Sequence, residues 1–350
     1  MATSARASAG GIAEQPGALY LARRPGLTIV AVRGSGLPVR YLHLLHAYRL
    51  SQYLTLGYAS GQVAYDQGIF AEPFGAPAGE GCTREGPARE GCTREGPAGE
   101  GCTREGAARE DVPRGVSAPE VPAPEVPAPE IHVLALDERS GRIAGYVSLA
   151  GSAAREPVPV ASPQRPPFPC EIAHGINLFD SDSLSGGVPL PDSQAQSSEV
   201  WEVGRLTHAS TYQSNTQATR DDATRLRLTL ELMLGFYAAL SRLDPPARLL
   251  VGDGEEGTIR RLRRTMTRIA VIEGTTPALP DGALLAPAYT VRRAVRPFVA
   301  QPPGGPALAA LVASLRRVLS ADDPFDGFRR LAAGRACPVE RVTVARPGAA

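Results

Sequence analysis

The chain has 350 residues, 43% of them hydrophobic, with 37 Lys and Arg against 36 Asp and Glu and a net charge of +1. That length suits one large or two small domains, and the near-neutral balance supplies no global field to attract nucleic acid or an anionic membrane, so any basic partner surface must be local. The first 17 residues lack the apolar core of a signal peptide, no apolar run reaches the ~18 residues of a spanning helix, and the five cysteines have no spacing that suggests a disulfide framework or a metal site. A cytoplasmic protein without a membrane span is expected.

Residues 1–26 read as a flexible N-terminus. Leu27–Val32 is apolar and β-branched and runs into Arg33-Gly34-Ser35-Gly36, which predicts a first strand and a turn. Pro38–Leu56 predicts a helix: Leu42, Leu45, Tyr48 or Arg49, and Tyr53 recur at roughly helical spacing, and Pro38 suits a first turn. Asp66-Gln67-Gly68 marks a turn, and 27–70 forms the first part of the domain. Gly81–Glu110 then holds three copies of a ten-residue unit, GCTREGPARE, GCTREGPAGE and GCTREGAARE, which account for Cys82, Cys92 and Cys102, and Ala118–Glu130 repeats Ala-Pro-Glu-Val-Pro. Lacking large apolar residues, these tracts cannot bury enough surface to offset the entropy of ordering. Residues 71–130 are therefore expected as a disordered insertion, extended in its Pro-rich half, with an ordered interaction element as the alternative.

Ile131–Leu149 predicts a hairpin around the polar turn 137–141, within a segment 131–150. Residues 151–198 are Pro- and Ser-rich and irregular, with Phe168–Phe179 as a candidate ordered stretch. Glu199–Thr207 predicts a short strand. It carries Glu202 and Arg205 in an apolar run; such charges are costly to bury unpaired and fall on opposite faces of a strand unless a bulge intervenes. Asp221–Leu243 is the strongest helix, with Leu226, Leu230, Met233, Leu234, Tyr237 and Leu240 on one side and Asp221-Asp222 at the positive end of its dipole. Arg248–Gly252 predicts a strand, Glu255–Thr267 a basic helix, Arg268–Glu273 a strand, Ala288–Val299 a strand or a strand-to-helix passage, and Pro306–Leu319 an amphipathic helix. Residues 199–320 close the domain and 321–350 form an extension whose tail is expected to fray from Ala345. This order argues for an α/β (α+β) domain around one central sheet.

Elements and residues together resemble the acyl-CoA N-acyltransferase (GNAT-like) fold, and within it the autoinducer (acyl-homoserine lactone) synthase and N-acyl amino acid synthase branch. Tyr48-Arg-Leu-Ser-Gln-Tyr53, the hairpin Val133–Leu149, Trp201-Glu-Val-Gly-Arg-Leu206, and the run from Leu249 through Arg260–Arg264 to Gly274 carry the likeness, which covers about 27–68 and 131–299. Two departures stand out: Ser148 occupies the place of the hairpin's usual Arg, and no Gly-rich pyrophosphate loop lies between Thr207 and Leu226. The resemblance implies a mixed, splayed sheet flanked by helices, and transfer of an acyl group from acyl-CoA or an acyl-phosphopantetheine carrier, used as co-substrate, to a small amine. Glu202 would act as base or orient the amine, and Arg205 would bind a carboxylate or pair with an acidic neighbour. Leu206, Thr207, His208, Ser210 and Gln213 would follow the phosphopantetheine arm, against a reading as ordinary loop polarity. Tyr289 is a candidate acid for the leaving thiolate or a packing residue. Arg260, Arg261, Arg263 and Arg264 would dock an acyl carrier protein or coenzyme A phosphates, or form a solvated face; nucleic acid is not expected, since no aromatic residues interleave them. Cys170 and Cys337 have no neighbouring pattern of a thiol nucleophile. A GNAT-like module that binds without catalysing is the alternative, and an unrelated α/β domain would lack a splayed strand pair after Glu202.

Overall fold

In the computed structural model, the residues described are 11–15, 17–69, 128–154, 156–180, 194–204, 207–208, 218–277, 279, 282–290 and 295–344. The ten-residue repeats and the expected fraying after Ala345 lie outside them, as do Arg205, Leu206, Ser210 and Gln213.

The described strands form one mixed sheet. They are β1 (Ala18–Arg24), β2 (Leu27–Arg33), β3 (Glu130–Asp137), β4 (Ile143–Gly151), β5 (Val200–Val203), β6 (Thr207–His208), β7 (Leu249–Gly254), β8 (Arg268–Glu273), β9 (Arg296–Gln301) and β10 (Val339–Thr343). Their spatial order is β1-β2-β3-β4-β5-β7-β9-β8-β10, with β6 set against β4. Pairings are antiparallel except β5 with β7 and β8 with β10. The helices are α1 (Val39–Thr55), α2 (Gly61–Asp66), α3 (Pro169–His174), α4 (Ala218–Leu240), α5 (Glu256–Leu262), α6 (Ala286–Thr290), α7 (Gly305–Leu319) and α8 (Pro324–Ala333). None is long and apolar enough to cross a membrane.

The sheet is covered on both faces, which is why its central strands read as continuous apolar runs rather than as alternation; all nine residues of β4 are buried. On one face Leu228, Leu232 and Phe236 of α4 and Leu308, Leu311 and Leu315 of α7 pack on Ile29, Val133, Leu149 and Trp201. On the other, Tyr41 and Leu45 of α1 cover Val30, Leu134 and Tyr146, while Phe168, Cys170 and Leu178 cover Val200, Val251 and Val299.

Several expected bounds shift. The N-terminal 26 residues were expected to be flexible, yet they supply β1, closed onto β2 through Gly26 in the left-handed region at φ 76°. The basic helix ends at Leu262, because Thr265 and Met266 turn inward and are buried ahead of β8. Residues 286–301 hold a short helix and then β9, and the C-terminal extension contributes α8 and the parallel edge strand β10.

The feature that positions the site is a fork. Strands β5 and β7 pair at Val200↔Leu249, Trp201↔Leu250 and Glu202↔Val251, where their ladder ends, while β7 continues against β9 as far as Gly254↔Arg296. Gly204 N–H turns to the Ser148 carbonyl at 2.7 Å. The register against β4 then moves from Ala150↔Glu202 to Tyr146↔Thr207, four residues on β4 against five on the other strand. The described residues thus shift register by one between Val203 and Thr207, whereas Arg205, expected on the face opposite Glu202, lies outside them.

Candidate functional site

Glu202 is the last residue of β5 in the ladder and is 6% exposed. Its neighbours Val200 and Trp201 fall in different cores, so alternation puts its carboxylate on the Val200 face, the face covered by α3. There the Cys170 N–H donates to Oε2 at 3.2 Å. The position of α3 is fixed by a buried pair: Arg165 Nη1 and Nη2 donate to both oxygens of Glu171 at 2.9 and 2.8 Å, and Glu171 also accepts from Phe168 and Leu178 N–H at 2.7 and 2.8 Å. A two-point guanidinium–carboxylate contact with its remaining valences filled is rigid, and it delivers the Cys170 amide to Glu202. Burial first, and then the nearby Glu202, Glu171 and Asp253 carboxylates, hold the Cys170 thiol well above its usual range, so Cys170 donates rather than attacks.

Asp253 lies two residues beyond Val251, where β7 has left β5. The Tyr289 hydroxyl donates to its Oδ2 at 2.5 Å. His174 Nε2 lies 3.7 Å from the same oxygen, its Nδ1 is 3.1 Å from Thr275 Oγ1, and its ring stands edge-on to Tyr289 with centroids 5.6 Å apart. Glu202, Cys170, Asp253, His174 and Tyr289 thus form one acidic, aromatic centre at the fork. Sequence reasoning identified Glu202 and Tyr289 but not His174 or Asp253. Asp253 had a readable signal, a carboxylate between two glycines at the end of an apolar strand; His174 had none.

Behind the fork, on the other face, is an apolar pocket of about 100 Å³. Val203 and Gly204 of the diverging strand, Asp253, Leu232, Met233 and Phe236 of α4, and Arg261 and Leu262 of α5 line it. Gly252 keeps the gap passable, since a Cβ there would stand 3.3 Å from the Val203 carbonyl oxygen and 3.1 Å from the Phe298 ring.

A second polar group lies under α1. The Tyr146 hydroxyl is 2.8 Å from His132 Nδ1, His132 Nε2 is 3.2 Å from Glu130 Oε2, and His46 Nε2 is 3.7 Å from that oxygen. Arg49, 1% exposed, and Tyr53 complete the group. Burial opposes ionisation of Glu130, but hydrogen bonding to His132 and His46 and the charge of Arg49 outweigh it and hold the carboxyl at about 2.

The remaining expected site residues divide. Thr207 and His208 have their backbone paired to β4 opposite Tyr146 and Gly145. The four arginines do not form one surface: Arg260 and Arg261 are exposed, whereas Arg263 Nε donates to the Cys337 carbonyl at 3.3 Å and Arg264 lies over the Phe328 ring. Among the described residues no group of three or more His, Cys, Asp and Glu is arranged to hold a metal.

Compared with known protein families, with curated proteins and with solved structures, the chain matches none.

Proposed function

We propose that the protein is an acyltransferase of GNAT-like organisation, moving an acyl group from a coenzyme A or carrier-protein thioester to the amine of a small molecule such as an amino acid. The observation that carries this reading is the fork itself: a parallel pair that diverges after a buried carboxylate, with a polar centre on one face and an apolar pocket on the other.

An amine attacking a thioester must first lose a proton, the developing oxyanion needs donors fixed in advance, and the reactants must be held in line. Glu202, fixed by the Cys170 amide, takes the proton directly or through water. In this reading backbone N–H groups at the fork serve as the donors to the developing oxyanion. The new C–N bond forms as the C–S bond breaks, and Tyr289, bonded to Asp253 at the rim of the pocket, gives its proton to the departing sulfur. The acyl chain fits the apolar pocket. Arg261 at its edge and the exposed Arg260 suit the phosphates of coenzyme A or an acidic carrier surface.

The test is incubation of the full chain with acyl-CoA and acyl-carrier thioesters and pooled amino acids, following free thiol and new N-acyl masses. Amine-dependent thiol release that falls ~10²–10⁴-fold in Glu202→Gln, the usual contribution of a general base, is expected. A thermal shift with thioesters but no turnover would indicate a binding module, and neither response would remove the reading.

A further inference from the structure

Within the centre at the fork, His174 has no part in the transfer chemistry described so far. It is 3% exposed. Its Nδ1 has a partner in Thr275 Oγ1, 3.1 Å away. Its Nε2 is sealed from solvent and has no hydrogen-bond partner. Asp253 Oδ2 stands 3.7 Å from it, beyond the ~3.2 Å reach of an N–H···O bond. Native folds bury few polar groups in this condition, and an approach that stops short of a bond does not offset the desolvation of the group. The oxygen that Nε2 fails to reach is the one that accepts from the Tyr289 hydroxyl at 2.5 Å. The three side chains come from α3, the free end of β7 and α6, and α3 is clamped by the Arg165–Glu171 pair three residues before His174.

When Tyr289 gives its proton to the departing sulfur, two things change at Asp253. Its carboxylate loses the donor it held, and a phenolate charge appears beside it. Two anions at hydrogen-bond distance repel strongly in a site shielded from water. An N–H that is idle before this step and bonded during it lowers the barrier, because an interaction accelerates the chemistry when it is stronger in the transition state than in the ground state.

We propose that His174 is a positioning residue for departure of the thiol: its Nε2–H replaces Tyr289 as the donor to Asp253 while the C–S bond breaks. This deepens, and rests on, the acyl-transfer reading. Thr275 Oγ1, donating to Nδ1, leaves the ring proton on Nε2, facing Asp253. A turn of the released carboxylate by about 0.7 Å closes the 3.7 Å gap to bonding distance, with α3 staying where it is. The electron pair of the C–S bond goes to sulfur together with the Tyr289 proton. The phenolate then takes a proton from solvent, and Glu202 returns to solvent the one it took from the amine. His174 itself neither gains nor loses a proton.

The experiment is steady-state kinetics of the full chain with acetyl-, octanoyl- and dodecanoyl-CoA as donors and pooled amino acids as acceptors. It compares wild type, His174→Asn, His174→Gln, Tyr289→Phe and the double variant His174→Asn/Tyr289→Phe. His174→Asn keeps a polar group near Nδ1 for Thr275 but has none at Nε2. It is expected to lower kcat and kcat/KM together, ~10–100-fold, the strength of one hydrogen bond to a charged group, with KM unchanged. His174→Gln, whose amide N–H takes the place of Nε2–H, is expected to recover most of that loss. In the Tyr289→Phe background, which has no proton to give, His174→Asn is expected to cost at most ~twofold more. A residue that merely holds the fold would lower activity by the same factor in both backgrounds and would not be rescued by glutamine. Equal losses in both backgrounds, a loss in His174→Gln as large as in His174→Asn, a change in KM alone, or full activity in His174→Asn overturns this role and keeps acyl transfer. No turnover of any donor by wild type removes the acyl-transfer reading, and this role with it.

Discussion

His132 is wholly buried between two strands, and its ring can satisfy both neighbours only as one neutral tautomer: Nδ1 accepts from Tyr146, and Nε2–H faces Glu130. Burial is the largest influence on it and lowers its pKa from the ordinary 6.5, despite the carboxylate alongside. As pH falls below 6.5 the unfolded chain takes up a proton that the folded chain resists, so stability drops, with a slope of at most ~1.4 kcal/mol per pH unit for one group. Glu130 acts in the same direction but lower: its contribution is present above 4.5 and disappears as pH falls toward about 2. Urea unfolding is therefore expected to show lower stability at pH 5.5 than at pH 7.0, with a share attributable to His132, and this share should vanish in His132→Gln. An identical pH slope in the variant would contradict the assignment. At this scale the sequence was readable where a charge interrupts an apolar run, as at Glu202. It was silent where a residue gains its role only from a distant element, as His174 does from Asp253 on β7 and Thr275 beyond β8.

Elements were legible in proportion to how completely they are buried. Helix α7 buries Leu308, Leu311, Val312, Leu315 and Leu319, the face its spacing predicts, and β8 spans the predicted Arg268–Glu273. The edge strands β1 and β10 were not, because a strand with one neighbour mixes buried and exposed residues and carries charges, Arg23 and Arg24 in one and Glu340 and Arg341 in the other. Helix α4 contains a glycine whose reason is visible only in three dimensions. A Cβ at Gly235 would stand 2.8 Å from Val133 Cγ1 and 3.1 Å from Ile29 Cγ2, and both side chains are β-branched and stiff. Gly235→Ala gains ~1 kcal/mol in helix propensity but overpacks the interface by ~1–3 kcal/mol, so a net fall in melting temperature is expected. Gly257, in the first turn of α5, meets nothing within 4 Å, and Gly257→Ala is expected to raise stability by ~0.5 kcal/mol. Thermal unfolding of the two variants side by side checks the contrast; a gain in both would mean that α4 does not lie as close to β2 and β3 as described.

At the scale of the described domain, the sheet separates two chemistries. Among the described residues, the α1 and α3 face holds the buried charges Arg49, Glu171, Arg165 and Glu202, and the α4 and α7 face is largely apolar, with the buried Glu231 carboxylate 3.2 Å from Arg24 Nε. The predicted order of elements conveyed one sheet with helices on it, but not this division, because which face a charge occupies depends on strand register. If the apolar side receives the acyl chain, its depth sets the length accepted. Met233, half-buried on α4, lines that pocket at the margin of the core, so a larger side chain there fills empty space before it displaces packed neighbours. Each methylene denied burial costs ~0.8 kcal/mol. Met233→Phe, which removes room for about two, is expected to lower kcat/KM ~15-fold for long acyl donors while short donors are turned over as before. The check is a chain-length series of acyl-CoA donors on wild type and variant: selective loss of the long members places the chain in this pocket, and a uniform loss places it elsewhere.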